Sequence, residues 1–406
     1  MSTNENLSDI RTTTDNVMYN ENYDILLDIL TLPKLVFDSK WKKYLAGALF
    51  LFLSVEILIG SYLFMTTLNS DFWRRYSLIG MGSCIAFFSY ITLFLNQKMY
   101  FHIHYYIGTN FWSLDTAGDK HFEELKMEAK LAKLIIMIIT IFALATAFLA
   151  LPWFGDEYDF YITVKFCVDN LGKWSNLVLT IFYFSFFHIA MIIVSNIFLL
   201  LYLLLHLKFQ FFLLNRGLEG IKDDDEKKLD VILDPIYQEM VRRKLVICLK
   251  HHQKLEYFGK QINDLIYYPI LYFTSCGIVV IVCLIFYVKS TSRSYIRGIT
   301  SGIVMALVTT LLGIIGQDLE NESENIFWSL CNLPWYHFNK KNRTLVQIFL
   351  TKTQNRFVIS CSGIITINFK LFFTVKYIQF IFIIFNKLRL TALPLRISRN
   401  YFSIKY

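Results

Sequence analysis

Long apolar runs separated by short polar connections dominate the pattern of this 406-residue chain. A helix needs about 20 mostly apolar residues to cross a hydrocarbon core of about 30 Å. Seven runs are long enough, and each predicts a membrane-spanning helix. They lie at residues 44–65, 76–95, 132–154, 178–206, 268–288, 298–315 and 358–385. The pattern therefore predicts an all-α, seven-transmembrane helical membrane protein.

The period of the pattern changes between the fourth and fifth spans. After Asp234-Pro235, apolar residues recur every three or four positions from Val241 to Leu265, which predicts an amphipathic helix leading into span five. Span four is longer than a bilayer requires and is expected to project beyond it. These helices predict a helical base where subunits associate. An amphipathic helix lying on the lipid surface is the alternative.

The alternation of apolar runs and polar segments predicts five parts of the chain. They are a cytoplasmic segment at 1–43, six spans at 44–315 that include a long cytoplasmic helical segment at about 207–267, a cytoplasmic anchor segment at 316–357, a seventh span at 358–386 and a basic tail at 387–406. Residues 1–43 hold no early apolar run, so we expect the first span to target the chain to the membrane.

Composition and charge agree with a membrane protein and give it an orientation. The chain is 55% apolar and only 18% charged. Segments on the N-terminal side of the predicted membrane carry more than twice as many Lys and Arg residues as those on the other side. The positive-inside bias therefore predicts a cytoplasmic N-terminus and an extracellular C-terminus. Basic segments beside anionic lipid account for the net charge of +8 without a nucleic-acid partner.

Motifs for catalysis or metal binding are scarce. The chain has no Gly-rich phosphate loop and no HExxH motif, so we do not expect an enzyme. The pairs His102/His104 and His251/His252 lack the third histidine box of membrane di-iron oxygenases, and we expect neither a metal nor a cofactor. The predicted orientation is opposite to that of G-protein-coupled receptors, so no G protein is required.

Aromatic residues cluster toward the predicted outer halves of spans two, three and four. Such clusters, together with a few polar groups, can enclose a pocket for a small apolar ligand. Core packing and lipid contact are the alternative. The candidate ligand-binding residues are Phe87, Phe88, Tyr90, Phe148, Trp153, Tyr183, Phe187, His188, Met305 and Thr309. Glu56, a carboxyl inside span one, is expected to bond a neighbouring helix.

A series of motifs lies between residues 240 and 377. It comprises the segment CLKHHQKL at Cys248–Leu255, the pair Glu322-Ser323, then Trp328, Trp335-Tyr336, Arg343, Gln354 and the apolar run Gly363–Phe372. In order and spacing this series resembles the insect odorant receptor family, as do the seven spans and the short outer loops.

The resemblance implies an odorant-gated, non-selective cation channel in the plasma membrane of olfactory neuron dendrites. Members form tetramers with a shared coreceptor, and small volatile apolar odorants bind between spans two, three, four and six. The implied anchor and assembly residues are Trp328, Trp335, Tyr336 and His252. The implied pore-lining residues are Phe369, Phe373, Lys376, Phe380 and Ile384.

Two other functions and one departure from the family pattern stay open. A gustatory receptor of the same superfamily is one alternative, and a secondary transporter is the other. Members of the family usually end soon after a Tyr-Ser pair, whereas this chain has Gln379-Phe380 there, followed by a basic tail. We therefore hypothesise that the terminal segment derives from another exon or from read-through.

Overall fold

Helices make up nearly all of the chain that the computed structural model describes, namely residues 40–67, 70–95, 97–153, 157–222, 234–290, 295–361 and 365–368, with Ile25, Leu26 and Ile29. The α-helices are α1 (Lys40–Thr66), α2 (Ser70–Leu95), α3 (Gln97–Asn110), α4 (Asp119–Leu149), α5 (Glu157–Phe160), α6 (Ile162–Asn170), α7 (Ser175–Lys222), α8 (Pro235–Ser290), α9 (Tyr295–Cys331) and α10 (Lys340–Thr353). Short 3-10 helices lie at Leu114–Ala117, Gly172–Trp174 and Trp335–His337. Two short strands, β1 (Ser360–Cys361) and β2 (Ile365–Thr366), pair antiparallel.

Six of these helices, α1, α2, α4, α7, α8 and α9, are long and apolar enough to cross a membrane. They coincide with the first six predicted spans, so that part of the prediction is confirmed. The seventh span was predicted from residue 358, but the described residues there form the β1–β2 hairpin instead of a helix. The rest of that span lies outside the described residues, as do the predicted pore-lining residues and the basic tail.

Three of the helices are much longer than a bilayer requires. At 1.5 Å per residue, the 48 residues of α7 span about 72 Å, the 56 residues of α8 about 84 Å and the 37 residues of α9 about 56 Å. α8 begins where the sequence predicts, because the Oδ1 atom of Asp234 accepts the backbone N–H of Ile236 at 2.9 Å. The predicted amphipathic helix therefore continues without interruption into span five.

The parts of the long helices that extend beyond the predicted spans pack together, and we call this part of the molecule the base. It comprises the C-terminal half of α7, the N-terminal half of α8, the C-terminal half of α9, and α10. Residues 201–211 of α7 are all buried, because α7 packs against α2, α4, α8 and α9. The apolar stripe of α8, including Val241, Leu245 and Leu255, covers one side of it. A helical segment that is mostly apolar on every side needs such cover all round.

A buried lysine joins three helices within the base. The Nζ atom of Lys208 on α7 donates hydrogen bonds to Glu128 on α4 and, at 2.8 Å, to Oδ2 of Asp318 on α9. Its side chain is only 9% exposed, while the two carboxylates are about four times more exposed. The ammonium therefore offsets its own desolvation only because two anions reach it.

Lys208→Met is expected to lower the free energy of unfolding by up to about 3 kcal/mol, because two facing carboxylates would lose their shared cation. Arg216→Met is the control on the same helix, since Arg216 pairs with Glu219 at an exposed site and should contribute at most about 1 kcal/mol. Thermal unfolding of the purified protein compares the two variants. Equal effects would show that the buried ion group is not a special source of stability.

The pair Glu322-Ser323 ties α9 to its surroundings. The side-chain amide of Asn215 on α7 donates to the backbone carbonyl of Glu322 at 3.0 Å and to its Oε2 at 3.1 Å. The Oγ atom of Ser323 accepts the backbone N–H of Phe357 at 2.9 Å. These bonds fix the segment that follows α10 against the base.

The hairpin approaches α9 most closely at Gly316. A Cβ atom at this position would overlap the backbone carbonyl of Ile367. The hairpin is held there by the side-chain amide of Asn368, which donates to Oε2 of Glu320 at 3.2 Å. Gly316 is therefore required for a close backbone approach, not for an unusual dihedral angle.

Gly316→Ala is expected to destabilise the protein by about 1–3 kcal/mol, because overpacking against a fixed backbone exceeds the gain in helix propensity. Gly220→Ala on α7 is the matched control, since a Cβ atom there meets nothing within 4 Å. Thermal midpoints of the two variants should move in opposite directions. A Gly316→Ala variant as stable as the control would contradict the close approach.

Candidate ligand-binding cavity

A cavity of about 280 Å³ lies between the spanning helices. Its walls come from α1, α2, α4, α7, α8 and α9, together with Tyr161. The lining residues are Glu56, Leu78, Ile79, Gly82, Ser83, Ile85, Ala86, Ala143, Thr146, Ala147, Ala150, Tyr161, Phe186, Ile189, Ala190, Ile193, Val194, Ile197, Val280, Arg297, Ser301, Val304 and Met305. Most are aliphatic, so the cavity suits a small apolar molecule.

The space exists because small side chains face one another. On α4, Ala143 and Ala147 are one helical turn apart and point to the same side. Gly82 and Ala86 repeat this spacing on α2, and Ala190 lies opposite on α7. Larger residues at these positions would bring the helices into direct side-chain contact and close the gap.

One wall carries a buried carboxyl group. Glu56 on α1 is 7% exposed, and the Oγ atom of Ser83 on α2 lies 3.2 Å from its Oε1 atom. The hydroxyl group of Thr163 on α6 lies beside the same carboxyl group. The sequence predicted that Glu56 would bond a neighbouring helix, and these contacts confirm it.

The nearby thiol of Cys167 responds to the same surroundings. Cys167 lies on α6 and is buried. Burial raises the pKa of this thiol, and the negative charge of Glu56 raises it further. The thiol is therefore expected to stay protonated and unreactive beside the cavity.

Arg297 closes the end of the cavity that the sequence assigns to the outside. Its Nε atom donates to the carbonyl of Leu149 at 2.7 Å and its Nη2 atom to that of Leu151 at 3.2 Å. These carbonyls end α4, where helices favour a positive charge. The Nη2 atom also lies 3.6 Å from Oε1 of Glu157, and the guanidinium stands 5.8 Å above the ring of Tyr161.

Of the ten predicted ligand-binding residues, Met305 lines this cavity. Tyr183 packs beside it in a cluster with Phe182 and the lining residue Phe186. Thr309 donates to the carbonyl of Met305 at 2.9 Å, within its own helix.

The aromatic residues of α2 face neighbouring helices. Phe87 stacks on Phe50 with centroids 5.0 Å apart, and Phe88 stacks on Tyr272 at 3.8 Å. Tyr90 is fully buried. These rings pack against neighbouring helices and do not line the cavity.

The remaining predicted ligand residues lie elsewhere on the bundle. Phe148 and Trp153 are exposed at the end of α4, with ring centroids 5.1 Å apart. Phe187 and His188 line a second hollow, which lies between α1 and α7 and faces outward. The ring of His188 is 5.9 Å from that of Tyr90. Of the ten predicted residues, the structure therefore places Met305 in the cavity lining and Tyr183 beside it, and the others pack elsewhere.

The predicted anchor residues lie in or beside the base. Trp328, Trp335 and Tyr336 are each more than half exposed, so their rings are accessible for contact with another subunit. His252 is buried, with its ring 5.3 Å from that of Phe349. Its neighbour His251 stacks on Trp112 at 3.9 Å. Among the residues that the structure describes, no three His, Cys, Asp or Glu side chains gather as a metal site.

Sequence reasoning missed Ser83, Arg297 and the small residues of the cavity. The repeated small residues at four-residue spacing were the available signal, because they mark close helix approaches or gaps in a membrane bundle. Arg297 was counted only as a basic residue of an outer connection. Arg297 lies at the start of α9 and contacts the end of α4. This contact depends on how segments that are distant in the sequence pack together.

The fold defines a multi-pass helical membrane protein with a mainly apolar cavity between its spans. The family model described as 7tm Odorant receptor matches residues 116–378, which is more than half of the chain. The chain therefore belongs to the odorant receptor family, as its motifs predicted. This family and its fold are of the receptor and channel type, not of enzymes.

Known proteins agree with this assignment. Odorant receptor 67b of Drosophila melanogaster is 25% identical over 133 residues, a segment covering 31% of this chain and 31% of that relative. The insect olfactory receptor OR5 from Machilis hrabei has a similar structure, with a TM-score of 0.67 and 11% identity over 86% of this chain and 89% of that one. The structure of that receptor in complex with eugenol gives a TM-score of 0.63 and 12% identity over 89% of this chain and 97% of that one. At these identities the structural likeness shows the fold.

Ala147→Leu is expected to weaken binding of an apolar ligand about 10- to 200-fold, because added methylene groups compete with the ligand for the same space. Ala145→Leu is the control, since Ala145 lies on the same helix outside the cavity lining. Ligand-induced thermal stabilisation of the purified protein measures the effect. Equal losses in both variants would mean that ligands bind elsewhere.

Proposed function

We propose that this chain is the odorant-binding subunit of a ligand-gated, non-selective cation channel. It acts with a shared coreceptor in the plasma membrane of olfactory neurons. The ligand is a small, mainly apolar odorant that binds in the cavity between α2, α4, α7 and α9. The observation that carries the proposal is this cavity in a chain of the odorant receptor family.

The shape of the cavity supports a small ligand. Its volume of about 280 Å³ is near the lower end of the range for small-molecule sites. Aliphatic side chains provide most of the contact area, and a few polar groups stand at its walls. Eugenol, the molecule bound in the second Machilis hrabei OR5 structure, is small and mainly apolar as well.

The arrangement of the helices supports coupling between ligand and channel. A ligand shifts a conformational equilibrium only through contacts that differ between the two states. The helices α7 and α9 line the cavity and also continue into the base, where Lys208 joins them through Asp318. A change in their relative position at the cavity would therefore be transmitted to the base and to the segment after α10.

The exposed aromatic side chains of the base support assembly with other subunits. Trp328, Trp335 and Tyr336 lie in one connected part of the base, spanning the end of α9 and the following 3-10 helix. Large aromatic side chains on a surface are typical of protein interfaces. A coreceptor subunit is the partner that the family membership favours.

Expression with the coreceptor in cells that lack other odorant receptors tests the proposal. An odorant panel should evoke a cation current only when this chain is present, and the response should differ from that of the coreceptor alone. The current should persist when G-protein signalling is blocked. Transport of an odorant without current, or a current that requires G proteins, would contradict the channel function.

A further inference from the structure

The carboxyl group of Glu56 is placed where a bound ligand would meet it. Among the described residues that line the cavity, Glu56 is the one acid and Arg297 the one base. The two groups differ in how far their hydrogen-bonding capacity is used. This difference determines which polar group of a ligand the cavity favours.

Glu56 retains acceptor capacity in its present surroundings. An ionised carboxyl group has about four acceptor positions on its two oxygens, and a protonated one still accepts at its carbonyl oxygen. Among the described residues, the hydroxyl group of Ser83 donates to it, that of Thr163 lies beside it, and no Lys or Arg forms an ion pair with it. A buried carboxyl with unused acceptor positions gains from any further donor that reaches it.

Arg297, in contrast, is already engaged. Its guanidinium serves the carbonyls of Leu149 and Leu151 and pairs with Glu157. A ligand acid would have to compete with these contacts, and it would bring a second acidic group into the cavity of Glu56. The cavity is therefore poorly suited to acids and well suited to donors.

We infer that Glu56 makes the cavity selective for apolar ligands that carry one hydrogen-bond donor, a hydroxyl or an amino group. The aliphatic walls take the hydrocarbon part of the ligand, and the donor completes the hydrogen bonds of the carboxyl. This inference rests on the proposed function, because it assigns the ligand class of the same cavity. It adds a polar selection rule that hydrophobic contact alone does not provide.

The selectivity depends on the unused acceptor positions of the Glu56 carboxyl group. A site built to hydrogen-bond a ligand hydroxyl or amino group rejects an analogue without it, because a buried polar group is then left unpaired. Isomers of equal size are therefore the most informative probes. Hexanol and methyl pentyl ether have the same atoms, but only hexanol can donate a hydrogen bond.

The test measures dose-response curves for alcohols, primary amines, methyl ethers and methyl ketones of matched size, from butyl to decyl chains. In the wild-type channel, the half-maximal concentration of the best alcohol or amine should be roughly tenfold below that of its matched ether and ketone. The Glu56→Met variant should lose this preference while keeping its response to ethers. Glu123→Met on α4 is the control, because Glu123 lies outside the cavity lining and its side chain is 61% exposed.

A second variant separates the two donor groups. Glu56→Gln keeps a carbonyl acceptor but loses the negative charge. It should preserve the preference for alcohols over ethers and remove any additional preference for amines. It also serves where Glu56→Met fails to reach the cell surface, because the amide is nearly identical in shape to the carboxyl group.

Direct binding distinguishes a failure of this inference from a failure of the proposed function. Thermal stabilisation of the purified protein is compared for the same ligands and variants, without any channel readout. Donor selectivity in binding without current would support Glu56 and contradict the channel function. A wild-type protein that prefers ethers or ketones, or an alcohol preference unchanged in Glu56→Met, would overturn the inference whether or not current is observed.

Discussion

Burial of the C-terminal half of α7 is the constraint on which the rest of the structure depends. From residue 201 to residue 211 the helix has no exposed side, so water must be excluded all around it. A single helix beside it would leave part of this surface open. The chain provides cover by packing α2 and α4 against this helix and by extending α8 and α9 alongside it. The length of these helices therefore follows from the need to cover α7, not from the thickness of a membrane.

Several polar side chains inside the base obey the same constraint, because a buried polar group is stabilised by a hydrogen-bond partner away from water. Gln210 accepts the backbone N–H of Trp112 at 3.0 Å and donates to its carbonyl at 2.8 Å. Gln238 and Asn342 join α8 to α10 through hydrogen bonds of 2.8 and 3.0 Å. These bonds connect segments that are far apart in the sequence. They fix the relative positions of the helices more specifically than apolar contact does.

Hydrophobic patterning was sufficient for the six spanning helices and for the amphipathic part of α8, because burial in those elements repeats with the helical period. Val241, Leu245 and Leu255 were predicted to share a face, and they belong to the core. At the start of the predicted seventh span, hydrophobic patterning was not sufficient. The segment is apolar, but it is rich in β-branched residues such as Val358, Ile359 and Ile367, and hydropathy does not distinguish a strand from a helix.

The cavity was harder to predict from the sequence, because aromatic clusters indicate a pocket whereas the small residues that define this space are a weaker signal. Phe88 was expected to line a pocket, yet it stacks on Tyr272 and fills the space between α2 and α8. Ala143, Ala147 and Gly82 have almost no individual signal, and their meaning depends on which helices face one another. Both kinds of residue contribute to one design. The rings hold the helices at a fixed separation, and the small residues leave that separation unfilled, so that a ligand can replace the missing packing contacts.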